Sequence, residues 1–485
     1  MTEKTGPSAC AAQPVNGGWP VQASCVEALR ISLPVDSKIG LLEHCGTGNL
    51  GDDATVTTVL EQIKSRRPTA SVVGLSLDPL DSEKRHGIPC FAIRQSVFPF
   101  EQEWSSASPA AQRGRYSDGL KARFRKIGSL YRAMKAIKNV LIVRPVQFVR
   151  EIIFLGQSLF LVCELDLIVI CGGGQLLDWG GPLAFPYTLF KWSLLAKCAR
   201  AKCIFLNNGA GPLDAALSRW FIRRALAMAD YVSLRDRASG ELLRKVGVQG
   251  KIKVVADSAW GLRLPDGIAR RGSNPKKELV IGIAPMAYGD SSRHWIDDNL
   301  GYRRLIDSLA EFGAELLRRG HRIRLFSSDI WFDSKALADL ETTIRKNDPR
   351  LTADRVTREP VADIGELLAA LSRVDCYVTC RFHGIVFASL LNVPTIALAP
   401  HPKVTTLMGD IGLSEYCVDI TTCDAAGLTT RFDRLLANRD DVQARIRRHV
   451  AQSQCLLESQ FDCLFRASTE PQAEDQHLLS VRSVT

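Results

Sequence analysis

The chain has 485 residues, 46% of them hydrophobic and 24% charged, with a formal net charge of +10. That length supports two or three domains with sizeable cores, and that composition excludes a chain disordered throughout. The positive charge invites an acidic partner, whether phosphorylated substrate, anionic membrane or nucleic acid, without choosing among them.

Residues 1–36 are rich in Ser, Ala, Gly and Pro, have no periodicity and read as a loose tail. They lack the basic and apolar regions of a secretory signal, so a cytoplasmic protein is expected. A repeated pattern follows: a short apolar run, a Gly- or Asp-bearing turn, then an amphipathic helix. KIGLLEHC leads into GTGNLGDD and the helix-like ATVTTVLEQIKSRR. SVVGLSL is the next strand, followed after a long interruption by LDLIVICGGG, AKCIFLNNGAGP, DYVSLRD and KIKVVAD. Asp214 reads as the N-cap of the helix ALSRWFIRRALAMA.

The turn-rich LPDGIARRGSNPKK sets a domain boundary near residue 272. ELVIGIAP, HRIRLFSS, DCYVTCRFHG and PTIALAP are the later strands. Between the first two, Leu305, Ile306, Leu309, Phe312, Leu316 and Leu317 form a helical stripe that Gly320 closes. Strands alternating with helices imply parallel sheets covered on both faces. The pattern predicts two Rossmann-like α/β domains, 37–272 and 273–465, with a cleft between them and a second tail over 466–485.

The long interruption carries its own signal. Between Gly119 and Arg150 lie nine Lys or Arg residues and no acidic residue. Phe124, Ile127, Leu130, Met134, Ile137 and Leu141 recur there at helical spacing, and Pro145 is expected to stop the helix. Such a helix either packs as an ordinary surface element or lies on anionic lipid headgroups, giving a peripheral membrane contact through 121–150. The apolar stretch from Ile152 to Cys171 is interrupted by Gln157, Glu164 and Asp166, which argues against a membrane span. Fourteen cysteines form no CxxC pair and no zinc-spaced cluster, so no metal is expected. Cys163, Cys171, Cys203 and Cys376 lie in apolar runs and read as core residues.

Ligands of parallel sheets bind beyond the carboxyl ends of strands, so the turns there hold the candidate site. Asn49, Gly51, Asp52 and Asp53 lie in the first turn, where glycines admit a ligand and a helix amino terminus offers free N–H groups. No GK[ST] follows, so this is not a Walker loop. Gly173 and Gly174 after LDLIVIC, and Asn208 and Gly209 after CIFLN, have the same placement without a dinucleotide fingerprint. Arg235 ends YVSLRD. Arg381, His383 and Gly384 lie where CYVTC meets the helix GIVFASLL, with Gly384 expected to open that helix. An Arg fork binds phosphate or carboxylate, and a neighbouring His exchanges protons near neutral pH.

NLGDDA, GGGQLLD, NNGAGP, SLRDRAS, VVADSAW and CRFHGIVFASLLNVPTIAL occur in the order and approximate spacing of the polysaccharide pyruvyl transferase family. The chain resembles that family from about residue 38 to about residue 440, including HPKVTTLMGDIGLSEYCVDI. The resemblance implies two domains like those of a GT-B glycosyltransferase. It also implies a cofactor-free transfer of the enolpyruvyl group of phosphoenolpyruvate onto two sugar hydroxyls as a ketal, releasing phosphate. The acceptor would be a surface polysaccharide or its lipid-linked precursor. Arg381 and His383 match the family's Arg-x-His element, which implies that they hold the donor, and Arg235 matches its Ser-x-Arg-Asp element. Phe382 stands where relatives often carry Leu or Tyr.

That chemistry needs cations for two anionic groups, supplied by Arg235 and Arg381, and an acid for C3, for which His383 is the candidate. Asp52, Asp53 or Asp257 could serve as base. A GT-B glycosyltransferase using a nucleotide sugar is the main rival, although RFHG replaces the Glu that often holds a ribose. A non-catalytic basic protein binding membrane or nucleic acid is the second, and no nucleic-acid-binding motif supports it.

Overall fold

A computed structural model describes residues 31–43, 46, 48–95, 144–268, 278–292, 296–348, 351–352 and 354–466. It contains two fully parallel sheets. The first has seven strands in the order β3-β2-β1-β4-β5-β6-β7. They are β1 (Lys38–Leu42), β2 (Ser71–Ser76), β3 (Cys90–Ala92), β4 (Leu167–Cys171), β5 (Lys202–Asn208), β6 (Tyr231–Leu234) and β7 (Lys253–Val254). The second has six in the order β10-β9-β8-β11-β12-β13. They are β8 (Val280–Ala284), β9 (Arg322–Leu325), β10 (Val356–Arg358), β11 (Cys376–Thr379), β12 (Thr395–Ala399) and β13 (Cys417–Asp419). Central strands such as β4 and β12 are buried at every position, because helices cover both faces of each sheet. Two Rossmann-like α/β domains result, as the alternation of elements predicts.

Strand order reverses between β1 and β4 in the first sheet and between β8 and β11 in the second. Both reversals open a crevice at the carboxyl ends of the strands. The domains meet there. The Leu50 N–H donates to the Ser328 carbonyl at 2.9 Å, and the Ile330 N–H to the Gly48 carbonyl at 3.0 Å. The final helix returns to the first domain: Arg66 pairs with Glu458 and Asp462 at 2.6 and 2.7 Å. Buried Gln460 hydrogen-bonds Asn207, Tyr231 and Ser233.

Several expectations need correction. Asp214 does not cap its helix, α5 (Ala216–Met228), whose N-cap is Ala215 without a side-chain bond. Asp178 does that work from outside, accepting from the N–H groups of Asp214 and Ala215 at 2.8 and 2.9 Å. Pro145 is the second residue of a helix, α3 (Arg144–Cys163), where a missing N–H costs nothing, and the helix it was expected to stop lies outside the described residues. The apolar stretch therefore begins earlier than its polar interruptions suggested, and Glu164 and Asp166 fall beyond the helix end. Pro145–Cys163 is long and apolar enough to cross a membrane. Cys163 is exposed, whereas Cys171, Cys203 and Cys376 are buried. The tails over 1–30 and 467–485, and the apolar stripe from Phe124 to Leu141, lie outside the described residues.

Candidate active site

Each element of the site is placed by a strand end. Asn49 is the N-cap of α1 (Leu50–Arg66), accepting from the Gly51 N–H at 3.1 Å. Its amide donates to Asp52 at 2.9 Å and aims that carboxylate into the crevice. Burial raises the Asp52 pKa, and the positive charges of His383, Arg235 and Lys403 do not reverse the shift. Asp53, one residue on, turns the other way. It pairs with Arg85 at 3.3 Å and lies 3.8 Å from His86, so it leaves the list of candidate bases.

The glycine turns are where these groups press together. A Cβ at Gly51 would stand 1.8 Å from Nδ1 of His383. Only a glycine lets the first turn of α1 rest on that ring from the other domain. A Cβ at Gly209 would stand 2.6 Å from Nε of Arg235. Gly173 lies opposite Asp52, while Gly174 has only Leu177 in ordinary contact. Asn208 is fully buried and donates to the Gly172 carbonyl at 3.0 Å, tying the two glycine turns together.

Arg235 follows β6 directly. Its Nη1 donates to Asp257 at 3.0 Å, and its guanidinium lies over the Phe382 ring at 4.4 Å. Asp257 also lies 3.6 Å from Nε2 of His383 and accepts from the Ala259 N–H at 3.0 Å. Burial alone would raise its pKa. His383, Arg235 and the Ala259 N–H outweigh that and hold it well below the usual carboxylate range. Asp257 is therefore a fixed anion that orients its partners, and a poor base. Among the described residues, neither Nε2 of His383 nor Nε of Arg235 has a hydrogen-bond partner, although both are buried.

Arg381 is the N-cap of α10 (Phe382–Leu390). Its Nε and Nη2 donate to the two oxygens of Asp333 at 2.8 and 2.6 Å, and Nη2 lies 3.2 Å from Asp329. Nη1 remains as the edge without a hydrogen-bond partner among the described residues. Burial pushes the Asp329 pKa up to about 7 against the pull of Arg381, with Asp333 adding to the rise. Gly384 does not open α10. It is the third residue of that helix, and a Cβ there would stand 2.7 Å from the Thr379 hydroxyl, so its smallness serves packing on β11.

Three more groups join the site: Asp329 and Asp333, to which the sequence assigned no role, and Lys403, known from the sequence only as part of the family-like segment HPKVTTLMGDIGLSEYCVDI. Asp329 and Asp333 follow β9, and Lys403 is the second residue of α11 (Pro402–Ile411), after β12. All three lie past strand ends, in HRIRLFSSDIWFD and PTIALAPHPK, where parallel sheets place their ligand-binding groups. The Lys403 side chain opens to solvent but is walled by protein. That enclosure and the charges of Arg235 and Arg381 lower its ammonium pKa to about 8. At the mouth, Trp179 from the first domain meets His401 from the second, ring centroids 5.9 Å apart. Trp331 packs over Gly48 and is 46% exposed.

The site thus joins cations, one histidine and two carboxyls of raised pKa, Asp52 and Asp329, from both domains. The model of the family described as polysaccharide pyruvyl transferase matches residues 49–402, a span that holds all but Lys403 of these groups. The chain belongs to the polysaccharide pyruvyl transferase family. Membership makes it a transferase. It is 21% identical over 438 residues to the amylovoran biosynthesis protein AmsJ of Erwinia amylovora, covering 86% of this chain and 97% of that protein. Among solved structures it resembles the UDP-GlcNAc 2-epimerase of Methanocaldococcus jannaschii, with a TM-score of 0.50 and 12% identity over 82% of this chain and 92% of that one. A glycosyltransferase from Rickettsia africae has a TM-score of 0.49 at 11% identity, with 93% and 100% covered. At 12% identity the likeness to the epimerase shows the fold alone.

Proposed function

We propose that this pyruvyl transferase family member moves the enolpyruvyl group of phosphoenolpyruvate onto two hydroxyls of a polysaccharide, or of its lipid-linked precursor, as a ketal. The reading is carried by one observation: Arg235, Arg381, Lys403 and His383 gather at the crevice that holds Asp52. A small double anion needs several cations at short range, and Lys403 and Nη1 of Arg381 supply the ones least committed to protein partners. AmsJ, named for amylovoran biosynthesis, supports a polysaccharide acceptor. Trp179 and Trp331 at the mouth offer aromatic faces to a sugar ring.

In this reading His383, oriented by Asp257, protonates C3 and makes C2 electrophilic. The first sugar hydroxyl adds to C2 and gives its proton to Asp52. The C2–O bond to phosphate then breaks, phosphate leaving with the bonding electrons and one proton. The second hydroxyl adds to C2, releases its proton and closes the ketal. The whole exchange is neutral in protons: of the two lost by the hydroxyls, one replaces that given to C3 and one leaves on phosphate.

Thermal unfolding with phosphoenolpyruvate and with a panel of UDP-sugars tests the donor. A ligand at about a hundred times its Kd stabilises the native state by roughly 2.7 kcal/mol. Phosphoenolpyruvate is expected to raise the midpoint in wild type and not in Lys403→Ala. Lys403→Ala is the better probe because Arg381→Ala would strand buried Asp333. A rise with a UDP-sugar and none with phosphoenolpyruvate overturns the donor assignment and leaves the fold intact.

A further inference from the structure

Helix α3 carries apolar side chains on its outer side as well as on the side it buries. It is joined to β4 by three residues and packs Phe154, Leu155, Leu159 and Val162 inward on the first domain's core, where Glu151 accepts from Lys191 at 2.9 Å and from the Tyr187 hydroxyl at 3.1 Å. Ser158 and Val162 are buried beneath it. The outward arc is apolar. Val146, Phe148, Val149, Ile152, Ile153 and Phe160 all face solvent, Phe148 at 66% and Phe160 at 81% exposure. At about 100° per residue these six fall within roughly 160° of one another, so the exposure belongs to one face.

The same layer extends the patch. α4 (Phe185–Ala199) packs between α3 and α5, and exposes Leu194; α5 exposes Leu217 and Trp220 beside Arg223 and Arg224. Arg150, Lys197, Arg223 and Arg224 are exposed on the three helices, whose single carboxylate, Glu151, is already paired with buried Lys191. An apolar strip bordered by cations and empty of free acids complements one kind of surface: a bilayer with anionic headgroups.

The structure assigns this face, centred on α3, as the docking surface for an anionic lipid bilayer. The helix lies in the plane of the interface and does not cross the membrane, because its inner side is ion-paired to α4 and its end feeds directly into β4. The amino end of α3 lies beside the carboxyl end of β3, where Gln95 donates to the Arg150 carbonyl at 2.9 Å. Docking there sets the crevice beside the membrane, within reach of a saccharide carried on a lipid. The assignment rests on the surface itself and stands or falls apart from the donor chemistry.

Co-sedimentation of the full chain with vesicles of phosphatidylcholine containing phosphatidylglycerol, against phosphatidylcholine alone, tests it. Wild type is expected to bind the anionic vesicles, less tightly as salt rises, with a blue shift of tryptophan emission. Phe148→Ser/Phe160→Ser should weaken binding on the order of a hundredfold, as removal of two buried phenyl groups implies, with an unchanged unfolding midpoint. Arg223→Glu/Arg224→Glu should weaken it without touching the apolar strip. Three results overturn the assignment. One is equal sedimentation of wild type and the phenylalanine variant. Another is a lowered midpoint in that variant without vesicle binding by wild type, which would put residues 96–143 over the face. The third is a wild-type dimer that the variant dissociates, again without vesicle binding.

Discussion

Arg235 and Arg381 stand in matching places, each just past a strand end in its own domain and each against a buried aspartate. Their surroundings give them different work. Arg381 commits two nitrogens to both oxygens of Asp333, whose Oδ2 also accepts from Ser327 at 2.5 Å. Asp329 adds a second carboxyl with its pKa near 7. That cluster is an anchor that leaves one guanidinium edge for a ligand. Arg235 donates through Nη1 to Asp257 and has Asp236 3.4 Å from its Nε, and Asp257 is shared with His383 across the domain boundary. Here the arginine holds the carboxylate that also faces His383. Two similar sequence signals therefore mark one arginine locked within its own domain and one tied to a carboxylate that faces the other domain.

The contrast can be broken by truncating each arginine. Arg381→Ala leaves Asp333 buried and unpaired and should cost about 3–5 kcal/mol of stability, read by denaturant unfolding. Arg235→Ala leaves Asp257 with His383 and the Ala259 N–H, so its stability loss should be clearly smaller. Its main effect should be on turnover, about 10²–10³-fold in kcat, as for loss of one charge-stabilising donor. Equal stability losses would erase the distinction.

Gly51→Ala sharpens the comparison from the other side of the interface. The new methyl meets His383, so about 1–3 kcal/mol of overpacking cost is expected, together with a fall in kcat from a displaced ring. A variant with wild-type kcat would show that His383 need not sit where Asp257 and Gly51 hold it. The smallest effect concerns pH. The ammonium of Lys403 is the charged form, so its contribution to donor binding is present below pH 8 and lost as pH rises through about 8. kcat/KM for phosphoenolpyruvate should fall over that window, and Lys403→Arg should move the fall to higher pH. An unaltered profile in Lys403→Arg would remove Lys403 from the donor site.

Much of this was legible in residue order because parallel α/β domains repeat one local rule. Buried strands such as LIVIC and TIALA are continuous apolar runs, and the turns after them carry Gly, Asn, Asp or Arg. β3, β10 and β13 escaped notice because they are short edge strands of three residues each, with too little burial to leave a pattern. Asp52 and Asp53 could not be separated by sequence, since adjacent helix positions point about 100° apart and only the fold says which faces the crevice.

The sequence by itself determined two parallel-sheet domains, the strand-end placement of Asp52, Arg235, Arg381 and His383, and the family to which they belong. Those are consequences of local periodicity and of residue identity, which do not depend on what lies across the cleft. Tertiary structure decided that Asp257 is a fixed anion, that Asp329, Asp333 and Lys403 join the site, and that α3 turns an apolar face outward. Each of these depends on which groups meet through space, because burial and neighbouring charge, not composition, set a carboxyl's proton affinity and a side chain's contact with water.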